Sequence, residues 1–429
     1  MNAADACSGQ SATETLGVRP RRRRLLLKLL LVPASLLVAL LAAEVWFRFR
    51  YPFAENTWPG RFDPAMGFAF QPDATIQRTD WRHFCVEQRT NSLGFLDRQP
   101  MQDLPAGTRR VVVLGDSFVE AVQVPLAEKF HVVLERLLAA RGRAVATTAF
   151  GMSGCGTSNV LAFYEQLGIR LDPKLVILLF VNNDVANNSP LLEAVRHGWH
   201  PEKLPRLFFT KDASGFHRLP IAADWSEHQQ PGSAPAAKEP EPWWRWSRLG
   251  RVVEQRITSA TRGNVKKAYD QYTDRVAWLR QQPRWKAALE GWQWPDDLDL
   301  DSMTACTAPP PAFLQARELT EHALAALRDR VQQDGGSLLV VGCHHLGKQC
   351  TSNSWGRTLL PRHWLDVIEP MCQRLGLPFL DLHADFEKRG ILDEVEIPGD
   401  GHWNPTGHAN AAAAIDAFLQ AHPELLDGD

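Results

Sequence analysis

The stretch RVVVLGDSF, residues 110–118, joins a buried-strand pattern to a polar turn, and it decides how the rest of the chain is interpreted. Four of its first five residues are apolar, which is typical of a short strand covered on both faces. Ser117 therefore lies where the backbone leaves the predicted strand and turns toward a helix. A serine at that point can face the ligand-binding edge of a sheet, although it can also serve as a helix N-cap.

Short apolar runs and amphipathic stretches alternate after this motif. The predicted strands are Arg110–Leu114, Val145–Thr148, Leu175–Val181, Ser337–Val341 and Pro378–Leu382. The predicted helices are Lys129–Ala140, Ser158–Gly168, Ala316–Gln333, His363–Leu375 and Pro405–His422. Such alternation predicts right-handed crossovers and a parallel sheet with helices on both faces. We expect an α/β fold, a flavodoxin-like three-layer α/β/α sandwich with a five-stranded parallel sheet, which binds ligands at the carboxyl ends of its strands.

An apolar segment near the N-terminus predicts a transmembrane signal-anchor helix. Residues 25–47 form a run of 23 residues that only Lys28 and Glu44 interrupt, and about 20 apolar residues cross a bilayer as a helix. The arginines at 21–24 favour a cytoplasmic location for residues 1–24 and an exported remainder. We expect a single-pass protein of a bacterial-type inner membrane with its main domain in the periplasm. A cleaved signal peptide is the alternative, which the length of the run disfavours.

The remaining chain divides by composition. Residues 48–105 are rich in turn formers and aromatics and predict an extended lead-in that packs on the main domain, residues 106–425. An insertion at about 188–312 interrupts that domain, with helices predicted within Leu249–Gln282. Seven of the fifteen tryptophans fall in the insertion: Trp243, Trp244, Trp246, Trp278, Trp285, Trp292 and Trp294. Their rings could stack on sugar faces, lie at a lipid interface, or hold together a small helical subdomain.

Charge and cysteine usage exclude some classes of partner. The net charge is −2 and no basic stripe lies outside the N-terminus, so we expect no nucleic-acid partner. Six of the seven cysteines follow the anchor, which permits disulfides in an oxidising compartment or several buried free thiols. Cys343 and Cys350 would close the shortest loop. The chain has no C-x-x-C pair, and we predict no metal site.

Two further polar motifs follow predicted strands. Ser153-Gly154 comes after the second strand, and a glycine there lets a backbone N–H approach a substrate closely. Asn182-Asn183-Asp184 comes after the third. The neutral amide of Asn183 can donate a hydrogen bond to an oxyanion, with Asn182 as the alternative. Asp184 is expected to cap local backbone.

A histidine with an upstream aspartate lies in a glycine-rich loop near the C-terminus. Asp400 precedes His402 by two residues, so its carboxylate can fix the imidazole tautomer and stabilise the imidazolium. His408 is expected to have a structural role in the first turn of the last helix. His344 and His345 follow the fourth strand and are weaker candidates for the cleft.

Taken in order, these motifs resemble the four sequence blocks of the SGNH (GDSL-like) hydrolases from about residue 109 to residue 419. The resemblance rests on Gly-Asp-Ser-Phe at 115–118, Ser153-Gly154, Asn183-Asp184 and Asp400-Gly401-His402. It implies a catalytic triad of Ser117, His402 and Asp400. It also implies an oxyanion hole formed by the N–H groups of Ser117 and Gly154 and the side chain of Asn183, with no metal or organic cofactor. The two-residue step from aspartate to histidine is shorter than usual and is similar to that of alginate-type O-acetyltransferases.

The resemblance implies a serine esterase that hydrolyses an O-acyl ester through an acyl-enzyme intermediate. The substrate class is an ester-bearing small molecule, an envelope glycan or a lipid. One alternative is an O-acyltransferase that acts on a cell-envelope polysaccharide with the same residues. Another is a non-catalytic protein that binds glycan or assists its assembly, against which the complete set of site candidates argues.

Overall fold

A computed structural model of the chain describes residues 20–53, 56–100, 103–222, 247–260, 273–290, 300–343, 360 and 362–427. By their internal contacts these residues fall in two units. The smaller unit contains residues 20–53 and 247–255, and the larger contains the other described residues.

The described residues form short strands near the N-terminal side and a succession of strands and helices after them. The strands are β1 (Gly60–Asp63), β2 (Gly67–Phe70), β3 (Thr75–Thr79), β4 (Cys85–Arg89), β5 (Arg109–Gly115), β6 (Val145–Gly151), β7 (Leu175–Val181), β8 (Phe208–Asp212), β9 (Gly215–Leu219), β10 (Ser337–Cys343) and β11 (Phe379–Asp381). The helices are α1 (Pro20–Arg50), α2 (Ser117–Glu120), α3 (Phe130–Ala140), α4 (Thr157–Gln166), α5 (Asp184–Asn187), α6 (Pro190–His197), α7 (Arg248–Ala260), α8 (273–280), α9 (Pro283–Lys286), α10 (Pro311–Gln333), α11 (His363–Arg374), α12 (Leu382–Lys388), α13 (Pro405–Ala421) and α14 (Glu424–Asp427).

Five of the strands form one parallel sheet in the order β11-β10-β7-β5-β6. This is the order of a flavodoxin-like sheet, and the predicted α/β/α fold is confirmed. Each of the five predicted strands is present, with ends that differ by a few residues; β6, for example, continues to Gly151. The strand order reverses between β5 and β7, and such a switch point opens a crevice at the carboxyl ends of the strands. Ser117 and Asn183 follow these two strands.

Both faces of the sheet are buried, which explains why its strands are continuously apolar. Along β7, Val176, Leu178 and Phe180 belong to one core cluster, which includes residues of α4, α10 and α11. Ile177 and Leu179 belong to a second cluster, with residues of α3 and α13. Burying a side chain of this size contributes about 1.5–3 kcal/mol, so the two clusters fix the sheet between its helix layers.

The lead-in is more regular than the extended segment that the sequence predicts. It contains two antiparallel strand pairs, β1 with β2 and β3 with β4. The lead-in also contacts the segment that follows α2 in the chain, where Gln88 donates hydrogen bonds to the carbonyls of Ala121 and Val122. Asp97 accepts a hydrogen bond from the N–H of Ala149 on β6. Polar contacts of this kind, absent from any local pattern, tie the lead-in to the sheet.

The insertion is partly helical, as predicted, but it also contains a hairpin that the sequence pattern did not indicate. Strands β8 and β9 pair antiparallel around a tight turn at residues 213–214. Trp285 is part of the buried core and Trp278 packs against that core, so both rings stabilise the folded insertion. The other five tryptophans of the insertion lie outside the described residues: Trp243, Trp244, Trp246, Trp292 and Trp294.

The smaller unit is built around α1. Its segment Lys28–Arg50 contains an 18-residue window with a mean hydropathy of 2.2, and none of that window is buried. Glu44 on this helix accepts hydrogen bonds from the hydroxyl of Ser247 and from the N–H groups of Arg248 and Leu249, at 2.7–3.0 Å. The carboxylate thus caps the first turn of α7 and joins it to α1.

Three cysteines of the larger unit, Cys155, Cys306 and Cys372, are buried free thiols. This agrees with the free-thiol alternative for those positions. Cys350, and with it the suggested Cys343–Cys350 pairing, lies outside the described residues.

Candidate active site

The backbone turn after β5 presents Ser117 at the first position of α2. Asp116 is the N-cap, and its Oδ1 accepts a hydrogen bond from the N–H of Phe118 at 3.0 Å. The capping role therefore falls on Asp116, which leaves the Ser117 hydroxyl available to another partner. Gly151 at the end of β6 permits this packing, since a Cβ there would lie 2.3 Å from the backbone nitrogen of Glu120 on α2.

Ser117, His402 and Asp400 form one hydrogen-bonded chain. The Oγ of Ser117 lies 2.8 Å from Nε2 of His402, and Nδ1 of the same ring lies 2.6 Å from Oδ1 of Asp400. Because a carboxylate can only accept, Nδ1 carries the proton and Nε2 accepts the hydrogen bond that the Ser117 hydroxyl donates. The imidazole is 19% exposed and the carboxylate 29%, so a substrate can reach the group.

Neighbouring side chains hold this chain in place. The amide of Gln123 donates to Oδ1 of Asp400 at 3.3 Å, and the N–H of His402 reaches the same oxygen at 3.3 Å. The ring of Phe118 lies against the imidazole with centroids 4.9 Å apart, and Trp403 packs edge-on against Phe118 at 5.1 Å. Gln123 has no sequence signal of its own, whereas Phe118 and Trp403 adjoin the two catalytic motifs.

Asn183 lies beside the turn after β5 that carries Asp116 and Ser117. Its Nδ2 donates to Oδ2 of Asp116 at 2.9 Å and to Oδ1 of Asn187 at 2.8 Å. The alternative donor, Asn182, is fully buried, and Asp184 begins α5, whose N-cap is Asn183. Asn183, the amide that the sequence predicts as an oxyanion donor, therefore contacts Asp116, the residue directly before Ser117.

The Ser153-Gly154 turn reaches the same end of the sheet. The backbone N–H of Ser153 donates to Oε2 of Glu120 at 2.8 Å, and the hydroxyl of Ser153 contacts the same oxygen. Gly154 has φ +68°, a left-handed backbone conformation that residues other than glycine rarely adopt. Because Glu120 lies on the helix that begins at Ser117, the turn is attached directly to α2.

Two ionisable groups are buried near this turn: Glu120 contacts the turn directly, and Lys129 contacts Glu120. Burial raises the pKa of Glu120 to about 7, although the hydrogen bonds from Ser153 and the charge of Lys129 act in the opposite direction. Burial likewise lowers the pKa of Lys129 to about 7, and its ammonium donates to the carbonyls of Glu120 and Leu96. Sequence analysis missed Glu120, although a carboxylate within the apolar stretch FVEAV was an available signal.

The remaining sequence candidates have separate locations. His408 lies in the first turn of α13, where it is buried and its Nδ1 accepts a hydrogen bond from the N–H of Phe130 at 3.2 Å. Burial lowers the pKa of His408 well below its usual value, which suits a neutral structural histidine. His344 and His345 lie outside the described residues.

Comparisons with known proteins bear on this geometry. The model of the GDSL-like Lipase/Acylhydrolase family matches residues 113–409, a range that contains all the site residues above. No curated protein matches the chain in sequence.

Solved structures of related fold include TesA, which is 12% identical, with 73% of this chain and 99% of that chain covered at a TM-score of 0.36. A lipase/acylhydrolase from Enterococcus faecalis is 12% identical over 73% of this chain and 96% of its own, at 0.35. The acetyl xylan esterase AlAXEase is 12% identical over 72% and 99%, also at 0.35.

The match to the family model spans more than half of the chain. The chain belongs to the GDSL-like lipase/acylhydrolase family and is a serine ester hydrolase.

Proposed function

We propose that the protein is an extracytoplasmic esterase that hydrolyses O-acyl esters with Ser117 as nucleophile, His402 as base and Asp400 as the residue that orients it. The observation that carries the proposal is the hydrogen-bonded chain from Ser117 Oγ to His402 Nε2, at 2.8 Å, and from His402 Nδ1 to Asp400, at 2.6 Å. A weakly acidic hydroxyl becomes a useful nucleophile when a positioned base removes its proton during attack.

The reaction proceeds in two steps, acylation of Ser117 and hydrolysis of the acyl-enzyme. As Ser117 Oγ bonds to the acyl carbon, its proton passes to His402 Nε2, and Asp400 stabilises the imidazolium. The C–O bond of the ester then breaks, and the imidazolium gives that proton to the departing alcohol. Water enters and loses a proton to His402 as it attacks the acyl-enzyme. The carboxylic acid leaves and Ser117 regains its proton.

The proposed oxyanion donors are the N–H groups of Ser117 and Gly154 and the amide of Asn183. Each comes from a different strand end, and donors fixed before the reaction stabilise the developing charge with little reorganisation. Asn183 already donates to Asp116, directly before the nucleophile, which supports its assignment. Asn182 is fully buried.

The test uses the full-length protein in detergent. We expect turnover of a short-chain acyl-nitrophenyl ester and covalent labelling by a fluorophosphonate probe, and we expect Ser117→Ala to lose both. Peptide mapping should place the label on Ser117. Absence of turnover and labelling in the unaltered protein, with the fold intact by circular dichroism, would contradict the proposal and favour the non-catalytic alternative.

The acyl-enzyme can also pass its acyl group to a sugar hydroxyl, so product analysis must accompany the assay. With a polysaccharide acceptor present, we expect free acid as the main product. Acyl transfer to the sugar at a rate above hydrolysis would instead assign the O-acyltransferase activity. An envelope glycan or a lipid is the substrate class that a membrane-anchored enzyme would meet.

We further propose that α1 anchors the enzyme in the inner membrane with its catalytic domain on the periplasmic side. The support is the length and exposure of the apolar segment Lys28–Arg50 and the arginines that precede it. The protein should remain in membranes washed with alkaline carbonate and should keep its N-terminal arginines. A soluble chain that starts after about residue 47 would identify a cleaved signal sequence instead.

A further inference from the structure

Arg206 holds the turn that carries one proposed oxyanion donor. It lies in the insertion between α6 and β8 and is 8% exposed. Its guanidinium donates to the carbonyl oxygen of Ser153, from Nη2 at 3.3 Å, and to that of Gly154 from Nη1. The Ser153 carbonyl and the Gly154 N–H belong to one peptide unit, and in a trans peptide they point in opposite directions. By fixing the carbonyl, Arg206 fixes the direction of the N–H.

The other side of the same turn is held by Glu120. Its Oε2 accepts the backbone N–H of Ser153, and Glu120 itself is 1% exposed on the nucleophile helix. The turn therefore lies between a carboxyl group from α2 and a guanidinium from the insertion. Its left-handed glycine would otherwise allow several orientations of the peptide.

A buried carboxylate connects Arg206 to the second proposed donor. Glu193 on α6 is fully buried, with Oε2 3.9 Å from Nη1 of Arg206. Its Oε1 accepts a hydrogen bond from Nδ2 of Asn187 at 3.0 Å. Asn187 in turn accepts one from Nδ2 of Asn183 at 2.8 Å. Hydrogen bonds and one 3.9 Å charge contact, between Glu193 and Arg206, thus link Asn183 to Gly154.

Glu193 is charged at neutral pH despite its burial. Burial alone would raise its pKa, but Arg196, His197 and Arg206 together lower it to about 2. Nε2 of His197 lies 3.4 Å from Oε2, and Nη1 of Arg196 lies 3.2 Å from Oε1. If Arg206 is replaced, Glu193 keeps the guanidinium of Arg196 and the imidazole of His197 as close partners, so we expect the fold to tolerate that change.

We propose that Arg206 and Glu193 are positioning residues that hold the two oxyanion donors, the Gly154 N–H and the Asn183 amide, in register with Ser117. The inference rests on the proposed function. It gives the insertion a role in the chemistry, since both residues belong to it. Neither residue touches the reacting atoms.

The test compares Arg206→Met and Glu193→Gln with the unaltered full-length enzyme. Loss of one oxyanion donor costs about 10²–10³ in kcat, and a misplaced donor should cost less, about 10- to 100-fold for Arg206→Met. KM should change little. The matched control is Arg218→Met, which removes a 46% exposed arginine paired with Glu165 on the surface and should leave kcat unchanged.

A second substrate separates positioning from general damage. Sulfur accepts hydrogen bonds poorly, so a thionoester gains less from an oxyanion hole than the matching oxygen ester. We expect Arg206→Met to lower kcat/KM more for the oxygen ester than for the thionoester. The ratio of the oxygen-ester value to the thionoester value should therefore fall, after active sites are counted by fluorophosphonate titration. An unchanged ratio with a lower melting temperature would show a merely structural role and overturn the proposal.

Amide hydrogen exchange gives a readout that does not depend on turnover. The peptide covering residues 152–155 should exchange faster in Arg206→Met than in the unaltered protein or in Arg218→Met. Equal exchange would overturn the inference. If the unaltered protein hydrolyses no ester, the proposed function fails, while the exchange experiment still decides whether Arg206 holds the turn.

Discussion

Asn183 donates one amide hydrogen to Oδ2 of Asp116, at 2.9 Å, and Asp116 is the residue immediately before Ser117. The other hydrogen goes to Asn187. Oδ2 of Asp116 also lies 3.4 Å from Oγ of Ser117, so the amide, the carboxylate and the nucleophile share one small region. An oxyanion formed on the acyl carbon would compete with Asp116 for the same amide hydrogen. Asp116, the N-cap of α2, therefore holds the Asn183 amide near the position proposed for an oxyanion donor.

Replacing Asn183 should expose this role in the kinetics. We expect Asn183→Ala to lower kcat by about 10²–10³ with little change in KM, because a donor to the transition state is lost. Steady-state kinetics with an acyl-nitrophenyl ester measures the effect. Asn182→Ala is the neighbouring comparison and should lose much less. Equal losses in both variants, or the larger loss in Asn182→Ala, would contradict the assignment of Asn183.

Asp400 should matter through the orientation of the imidazole. Asp400→Asn presents an amide where Nδ1–H needs an acceptor, and the unfavourable tautomer should lower kcat by about 10³–10⁴. Fluorophosphonate labelling should slow in parallel. Gln123→Ala removes only a 3.3 Å hydrogen bond to the same carboxylate and should have a much smaller effect. Near-normal turnover in Asp400→Asn would remove Asp400 from the triad.

Glu120→Gln should change how stability depends on pH. The pKa of Glu120 rises in the folded protein from 4.5 to about 7, with burial as the main cause and with Ser153, Lys129 and Arg78 opposing it. A raised carboxyl pKa contributes stability that is fully present below the unfolded pKa and is lost as the pH rises through the folded pKa. The variant lacks this loss, so its melting temperature should increase relative to the unaltered protein between about pH 4.5 and 7.

The scan should stay at or below about pH 7, because Lys129 also has a pKa near 7 in the fold. Glu165→Gln, which alters a partly buried carboxylate paired with Arg218, is the control and should follow the unaltered protein. A difference in melting temperature that does not vary with pH would show that Glu120 keeps an ordinary pKa.

His408 should affect stability and leave catalysis intact. His408→Ala leaves the buried N–H of Phe130 without its acceptor, which should cost about 1–3 kcal/mol of unfolding free energy. Denaturant unfolding measures that change, and kcat per titrated active site should stay near normal. His422→Ala, at the exposed end of α13, is the comparison and should be nearly neutral. A large loss of kcat per active site in His408→Ala would argue against the structural role.

The sheet could be predicted from sequence because both of its faces are buried, and apolar runs such as Leu175–Val181 mark its strands locally. The sequence also singles out Ser117, Asp400 and His402, which the fold brings together, because glycines and polar residues cluster after the first predicted strand and in the loop before the last helix. The capping role went to Asp116 rather than to Ser117, a choice that depends on the local backbone geometry after β5.

Other parts of the site had no local signal. Arg206 meets Ser153 and Gly154 across about fifty residues, and a single polar side chain in an insertion carries no periodic pattern. The hairpin β8–β9 has a charged and partly exposed second strand, which weakens the alternation that predicts strands. These features depend on tertiary contacts between distant segments, and only the folded chain brings them together.

The distance in sequence between Ser117 and His402 affects when the proposed site can form during biosynthesis. Ser117 and His402 are 285 residues apart in the chain, so the base is made long after the serine. At roughly 5–20 residues per second, translation leaves an interval on the order of 15–60 s in which the nucleophile has no partner. A nascent chain therefore lacks the base proposed for Ser117 until translation has passed the last strand of the sheet and reached His402. Ribosome-bound chains truncated before residue 400 should accordingly be inert toward the fluorophosphonate probe.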